Sequence, residues 1–503
     1  SATVMGIEGL LVEVEIDLSR GIPSFDIVGL PDTAVRESRE RVRAAIKNSG
    51  FDFPIKRITI NLAPGDIKKI GPHYDLAIAA GILAADGLIV DKKIKNYLFA
   101  GELSLTGEIR QVKGVLPMTL TAREKGLAGV IVPVDNYNEA VLVDGIKIVP
   151  VRDLEDILMF FRTGEFVDMN SDGETSSASG ENNYQIDFSE VKGQYEARRA
   201  LKIAAAGRHN ILMIGPPGAG KTMLARRLRT ILPPLTEEEA LELTKIYSIM
   251  GMLEPERSLI QQRPFRIPHH SITTAGLIGG GKIPEPGEIS LAHYGTLFLD
   301  ELPEYPRKVL EMLRQPLEEG IVTIARSAMS ASFPARFMLI AAMNPCPCGY
   351  YGDERHECNC TVPQISRYRS RVSGPLLDRI DIHIEVPGLS VEEITGNNQA
   401  QSSAGMRQEV LAAHQRQLNR YQEEDFNFNA QLTGKKLREF CQVDEAGMNL
   451  LKYSIDNLGL SARAYDRILR MARTIADIDG CDNIKEEHIA ESVQYRSIDR
   501  KLY

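Results

Sequence analysis

The sequence predicts an α/β multidomain chain that ends in an all-helical region, on three observations. After about residue 184, short apolar runs alternate with helical patterns: "HNILMIG" (209–215), a helix from Lys221, "GTLFLDE" (295–301) and "RFMLIAAMN" (336–344). That alternation predicts a parallel sheet covered by helices. From about residue 405 the apolar spacing is helical, as in Leu437, Phe440 and Cys441, or Ile468, Leu469, Ala472 and Ile475. Before residue 165, strands such as "LLVEVEIDL" (10–18) and "RITINLAP" (57–64) mix with helices such as "YDLAIAAGILAA" (74–85), an α+β pattern.

The elements fall into a domain at 1–165, a linker at 166–183, a core at 184–404 and a helical region at 405–503. The linker follows from "NSDGETSSASGENN" (170–183), whose one apolar residue is Ala178. Such a segment buries too little surface to offset its ordering entropy. A length of 503 residues suggests about three domains. Hydrophobic content of 43% and charged content of 25% are ordinary for a globular protein. No apolar run approaches the roughly 20 residues of a bilayer span, and no secretory signal is visible, although Ser1 is not read as the native start. Six cysteines in so long a chain do not make a disulfide scaffold. The net charge of −9 argues against coating nucleic acid by bulk charge and leaves room for a local basic surface.

In the core, "GPPGAGKT" (215–222) follows an apolar strand and opens a helix. This is the context a phosphate-binding loop requires. Gly215, Gly218 and Gly220, with Pro216, Pro217 and Ala219 between them, let backbone N–H groups face an anion beside the helix N-terminus. Lys221 can reach the β- and γ-phosphates, and the Thr222 hydroxyl can bind Mg²⁺. The run "GTLFLDE" ends in two carboxylates: Asp300 would help hold the metal, and Glu301 would activate the attacking water. By itself such a run reads as an exposed strand end, so the phosphate loop is what favours the functional reading.

With these motifs the chain resembles the Mg-chelatase-like AAA+ ATPases of the competence protein ComM/YifB family. The resemblance also rests on "RPFRIPHHSITTAGLIGGG" (263–281), "PGEISLAHYGTLFLDELPEY" (286–305), "AAMNPCPCG" (341–349), "GPLLDRIDIHIEVP" (374–387) and "GLSARAYDRILRMARTIADI" (459–478). It covers essentially the whole chain. It implies an amino-terminal domain like the Lon peptidase, an AAA+ P-loop αβα core, a carboxyl-terminal helical lid and a ring, expected to be a homohexamer, in the cytoplasm. It also implies that Asn344 is the polar sensor of the γ-phosphate, Arg379 an arginine finger for the neighbouring subunit, and Arg463 a second sensor on the lid. Val191 and Gln194 would lie near the adenine, although a plain packing helix fits that segment equally well from its pattern.

The resemblance further implies an ATP-driven motor on single-stranded or branched DNA, promoting branch migration in natural transformation. A protein remodeller and a magnesium-chelatase motor subunit are the alternatives. Two inserts could reach a ring's pore: 275–288, flexible at Gly279–Gly281 and carrying Lys282, and the hairpin-like 320–337, with Arg326 near its tip. Solvated loop charges are the plain alternative for both. His269 and His270 read as a structural pair at a turn, since adjacent side chains usually point apart. In the amino-terminal domain, the positions of a Lon-type serine and lysine read His73 and Leu116, so no nucleophile or base is present. Finally, Cys346-x-Cys348 and Cys358-x-Cys360 could close four thiolates around Zn²⁺, with His356 as a substitute ligand and free thiols as the alternative.

Overall fold

The computed structural model of the chain describes residues 1–89, 92–169, 185–254, 259–326, 329–353, 355–390, 392–393, 400–458 and 461–496. Residues 170–183 of the expected linker lie outside them. The chain forms two compact units: Ser1–Ser179 with Glu237–Ile260, and Gly180–Thr236 with Gln261–Tyr503. Residues 237–260, expected within the 184–404 core, therefore cluster with the amino-terminal unit.

In the first unit, the strand Arg57–Ala63 pairs antiparallel with Glu13–Ser19 and parallel with Ser24–Val28. Its alternate residues Ile58, Ile60 and Leu62 are buried, as period-two patterning requires. They share a core with Val42 and Ile46 of the helix Thr33–Asn48 and Ile78 and Ile82 of the helix Asp75–Ala85. The first of these helices starts at Asp32, whose carboxylate accepts from Val35 N at 2.8 Å, a cap worth about 1 kcal/mol. A second sheet is parallel, with Gly129–Pro133 between Tyr97–Phe99 and Lys147–Val151.

The helix Glu237–Met250 joins this unit for identifiable reasons. Leu241 packs against Leu116, Leu120 and Val143. The Ser248 hydroxyl donates to the buried Glu139 carboxylate, and Gly114 N donates to Ser248 O at 3.1 Å. Glu139 also accepts from Leu116 N at 2.8 Å and Asn136 Nδ2 at 3.1 Å. Leu116 is thus a buried packing residue. His73 is buried against Tyr74, with Nε2 2.8 Å from Ala2 O, and burial pushes its pKa down to about 4.

The second unit is an α/β core with a central parallel sheet and a helical carboxyl-terminal region. Its five strands run in the order Phe265–Arg266, Thr296–Leu299, Met338–Met343, Ile211–Ile214, Ile382–Glu385, all parallel. Every residue of Ile211–Ile214 and Met338–Met343 is buried, which explains their unbroken apolar sequences. After residue 400, helices span Ser403–Arg420, Gly434–Phe440, Glu445–Leu458, Ala462–Ile478 and Glu486–Gln494. They pack on the core: Val410, Met471 and Ile475 share a cluster with Ala204 and Ile211. Arg199, on the core helix Tyr195–Gly207, pairs with Asp479 at 3.1 Å and Glu491 at 3.0 Å. Among the described residues, no helix is long and apolar enough to cross a membrane.

Candidate functional site

Parallel strands deliver their carboxyl ends to one edge of the sheet, where ligands of open α/β sheets bind. Three of these ends converge here. The loop 215–220 leaves Ile211–Ile214 and enters the helix Lys221–Leu228. Lys221 Nζ donates to Gly215 O at 2.7 Å, Pro216 O at 2.8 Å and Asn344 Oδ1 at 3.2 Å, the last from the end of Met338–Met343. Burial lowers the Lys221 pKa, opposed by the charges of Asp300 and Glu301. Thr222 Oγ1 donates to Asp300 Oδ2 at 2.6 Å, at the end of Thr296–Leu299. A hydroxyl and a carboxylate so close are the hard oxygen donors that suit Mg²⁺.

Glu301 has a left-handed backbone (φ 52°) and an exposed carboxylate. His270 Nδ1 lies 3.6 Å from that carboxylate. His269 turns instead to Ser271 Oγ at 2.8 Å. The sequence reading took His269 and His270 for a structural pair at a turn, and their rings do lie 4.0 Å apart; the structure adds His270 to the candidate site. Its signal was its place just beyond Phe265–Arg266, the strand beside Thr296–Leu299.

Gln194 Nε2 donates to Pro387 O at 2.8 Å and Ala219 O at 3.3 Å, tying the phosphate loop to the segment after Ile382–Glu385. Val191 is fully buried in the core cluster.

Arg379 and Arg463 do not join this group. Arg379 is buried, donates to Pro375 O at 2.6 Å and pairs with Glu318. Its carbonyl accepts from Asn210 Nδ2 at 3.1 Å, at the amino end of the strand that leads to the phosphate loop. Arg463 is exposed on the first turn of Ala462–Ile478. One turn on, Arg467 lies 3.5 Å from Asp381, next to the same sheet end.

Lys282 and Arg326 are both exposed, and the Arg326 guanidinium lies beside Gly280, 3.5 Å from where a Cβ would stand. The stretch expected to be flexible is paired: Gly279–Gly280 hydrogen-bonds antiparallel to Glu285–Pro286. Gly279 (φ 108°) permits this, because a Cβ there would stand 2.3 Å from Glu285 O. The other insert is a regular hairpin of Ile321–Arg326 and Met329–Pro334, and its tip, 327–328, lies outside the described residues.

The four cysteines come together, each Sγ within 4.8 Å of the others. His356 is not part of the group; its Nδ1 lies 3.3 Å from Asp353 and its ring packs on Tyr350.

The chain matches family models described as Subunit ChlI of Mg-chelatase over residues 14–136, Magnesium chelatase, subunit ChlI over 187–394, and its C-terminal part over 400–496. It is 43% identical to the YifB protein of Escherichia coli K12, across 99% of this chain and 96% of that protein. It is 44% identical to competence protein ComM of Haemophilus influenzae, across 100% of this chain and 97% of that protein. The chain belongs to the ComM/YifB family of Mg-chelatase-like AAA+ proteins. What membership of this family supports is an ATPase motor that uses ATP and Mg²⁺ and assembles into oligomers. A match to Lon protease 2 of Bacillus subtilis, 30% identical over 169 residues and 30% of each chain, gives partial support to a Lon-like fold in this ComM/YifB member.

Proposed function

We propose that this chain is the subunit of a ring-shaped ATPase that moves on single-stranded or branched DNA and promotes branch migration or unwinding of recombination intermediates. The observation that carries the ATPase reading is the double convergence of Lys221 with Asn344 and Thr222 with Asp300. Bound Mg²⁺ would neutralise phosphate charge, held by Thr222 and Asp300. Lys221 would exchange the carbonyls of Gly215 and Pro216 for β- and γ-phosphate oxygens. Asn344 would orient the γ-phosphate or the water, and Glu301 would accept the water's proton. Val191 and Gln194 would border the base. The arginines Arg379 and Arg463 would serve the site of a neighbouring copy, with Arg379 released from Glu318.

DNA is favoured as the track by the exposed Lys282 and Arg326 on the two inserts, which in a ring would repeat as a positive collar suited to phosphates. The name of the 44%-identical relative, a competence protein, supports the same reading. The amino-terminal unit, with His73 and Leu116 where a peptidase needs serine and lysine, is read as a peptidase-like fold without peptidase chemistry.

ATP turnover of purified protein should rise when branched or single-stranded DNA is added. Lys282→Ala with Arg326→Ala should lower DNA affinity and flatten its dependence on salt, while basal turnover persists. If DNA leaves turnover unchanged and an unfolded protein raises it, the remodeller reading replaces this one.

A further inference from the structure

The Cys346–Cys360 segment folds back on itself so that its sulfurs cluster. Cys346 Sγ lies 3.3 Å from Cys348 Sγ and 3.7 Å from Cys358 Sγ, and Cys348 Sγ lies 3.6 Å from Cys358 Sγ. A tetrahedron with bonds of about 2.3 Å has sulfur–sulfur edges of about 3.8 Å, so the cluster has the size of a four-thiolate zinc site. No disulfide joins these cysteines. Backbone N–H groups point at the sulfurs: Tyr351 N donates to Cys346 Sγ at 3.3 Å, and Cys348 N to Cys360 Sγ at 3.4 Å. Such donors stabilise thiolates and orient ligands around a metal. Soft sulfur donors without a carboxylate or imidazole select Zn²⁺ over Mg²⁺.

The same segment leans on the phosphate loop. Gly349, between the two cysteine pairs, has φ 91°, and a Cβ there would stand 2.6 Å from Pro217 Cδ. Its N–H donates to Cys346 O at 3.0 Å, closing the turn. Arg355 donates to Leu389 O, beside Gly388, where a Cβ would stand 3.8 Å from Pro216 Cγ. Apart from Cys346, these cysteines are half-buried, and the described residues of 345–360 form neither helix nor strand. Hydrogen bonds such as Arg369 Nε to Pro345 O at 3.1 Å also hold this segment, and a crosslink through sulfur would join its two ends.

We propose that Cys346, Cys348, Cys358 and Cys360 bind one Zn²⁺, and that this metal holds the Gly349 turn against Pro217 and so keeps the phosphate loop in its nucleotide-binding shape. The metal is structural. Its occupancy sets affinity for ATP and leaves the chemical step to Lys221, Glu301 and Asn344. The second half of the proposal rests on the nucleotide reading of residues 215–222; the first half does not.

The test uses the full chain purified without chelator. Metal analysis should find about one zinc per chain. Exchange with Co²⁺ should give the visible absorption of a tetrahedral thiolate site, lost in Cys358→Ser. Removing the metal under reducing conditions should weaken binding of a fluorescent ATP analogue and raise the KM for ATP by about tenfold or more. The kcat at saturating ATP should change little, and added Zn²⁺ should restore affinity. Gly349→Ala should keep its metal yet weaken the analogue, which separates contact with Pro217 from loss of fold. Metal content near zero in protein that binds ATP normally overturns the site. Metal removal, or Gly349→Ala, without change in nucleotide affinity overturns the support of the loop. A wild-type chain that binds zinc but no nucleotide overturns the phosphate-loop reading and that support with it, and leaves the metal site standing.

Discussion

Glu301 shows how a single residue's surroundings redefine it. Glu301 lies two residues past the buried strand Thr296–Leu299, in a left-handed backbone conformation, with His270 3.6 Å from its carboxylate. The imidazole also lies edge-on to Tyr305 at 6.4 Å, and the Tyr305 hydroxyl donates to Pro268 O at 2.6 Å. The loop before His270 is therefore anchored, and the ring can act as a fixed post for the carboxylate. His270→Ala should lower kcat for ATP several-fold with little change in KM, the split expected when only the positioning of a base is lost. His270→Asn, which keeps a hydrogen-bonding group, should recover part of that loss. Steady-state kinetics giving a raised KM at constant kcat, or equal loss in both variants, would refute a positioning role. Lys221, Thr222 and Asp300 were legible in the sequence because each sits in a motif with its own flanks. His270 was not, because its partner is remote in sequence and reached only through the pairing of Phe265–Arg266 with the strand of Glu301.

At the scale of an element, the helix Glu237–Met250 is the clearest departure from expectation. Its sequence lies between the phosphate-loop helix and the strand Phe265–Arg266, yet it packs with the amino-terminal unit. The buried Glu139 carboxylate is the polar anchor, and burial raises its pKa against the bonds from Ser248 and from Leu116 N. Removing one donor from a buried carboxylate costs about 1–3 kcal/mol. Ser248→Ala should therefore speed amide exchange across 237–250 and leave 211–228 protected as before. Unchanged exchange in the helix would show that Leu241 and its apolar neighbours suffice to hold it. A helix's apolar face does not name the surface it will meet.

Across the whole molecule, the arginines carry the argument for assembly. Arg379 and Arg467 both sit by the amino end of the sheet, at Asn210 and Asp381. The phosphate loop lies at the other end of the strand Ile211–Ile214, about 13 Å away at the usual rise per residue. An Arg379 that acts as a finger, as proposed above, would therefore serve the site of another copy. Arg379→Ala and Lys221→Ala should each abolish ATP hydrolysis alone. Mixed in equal amounts, they should regain activity, because about a quarter of the sites in a randomly mixed ring would be complete. A mixture as inactive as its components would refute a finger that acts between copies. The sequence by itself determined the elements and the chemistry each could bear: apolar runs buried on both faces, a loop of glycines before a helix, carboxylates and an asparagine at strand ends, paired cysteines. These are local properties, written in composition and period. Tertiary structure alone decided which ends meet: that His270 faces Glu301, that Gly349 rests on Pro217, that Ser248 anchors to Glu139, and that Arg379 stands away from its own phosphate loop. Those pairings depend on strand order and on the packing of distant segments, which no local pattern encodes.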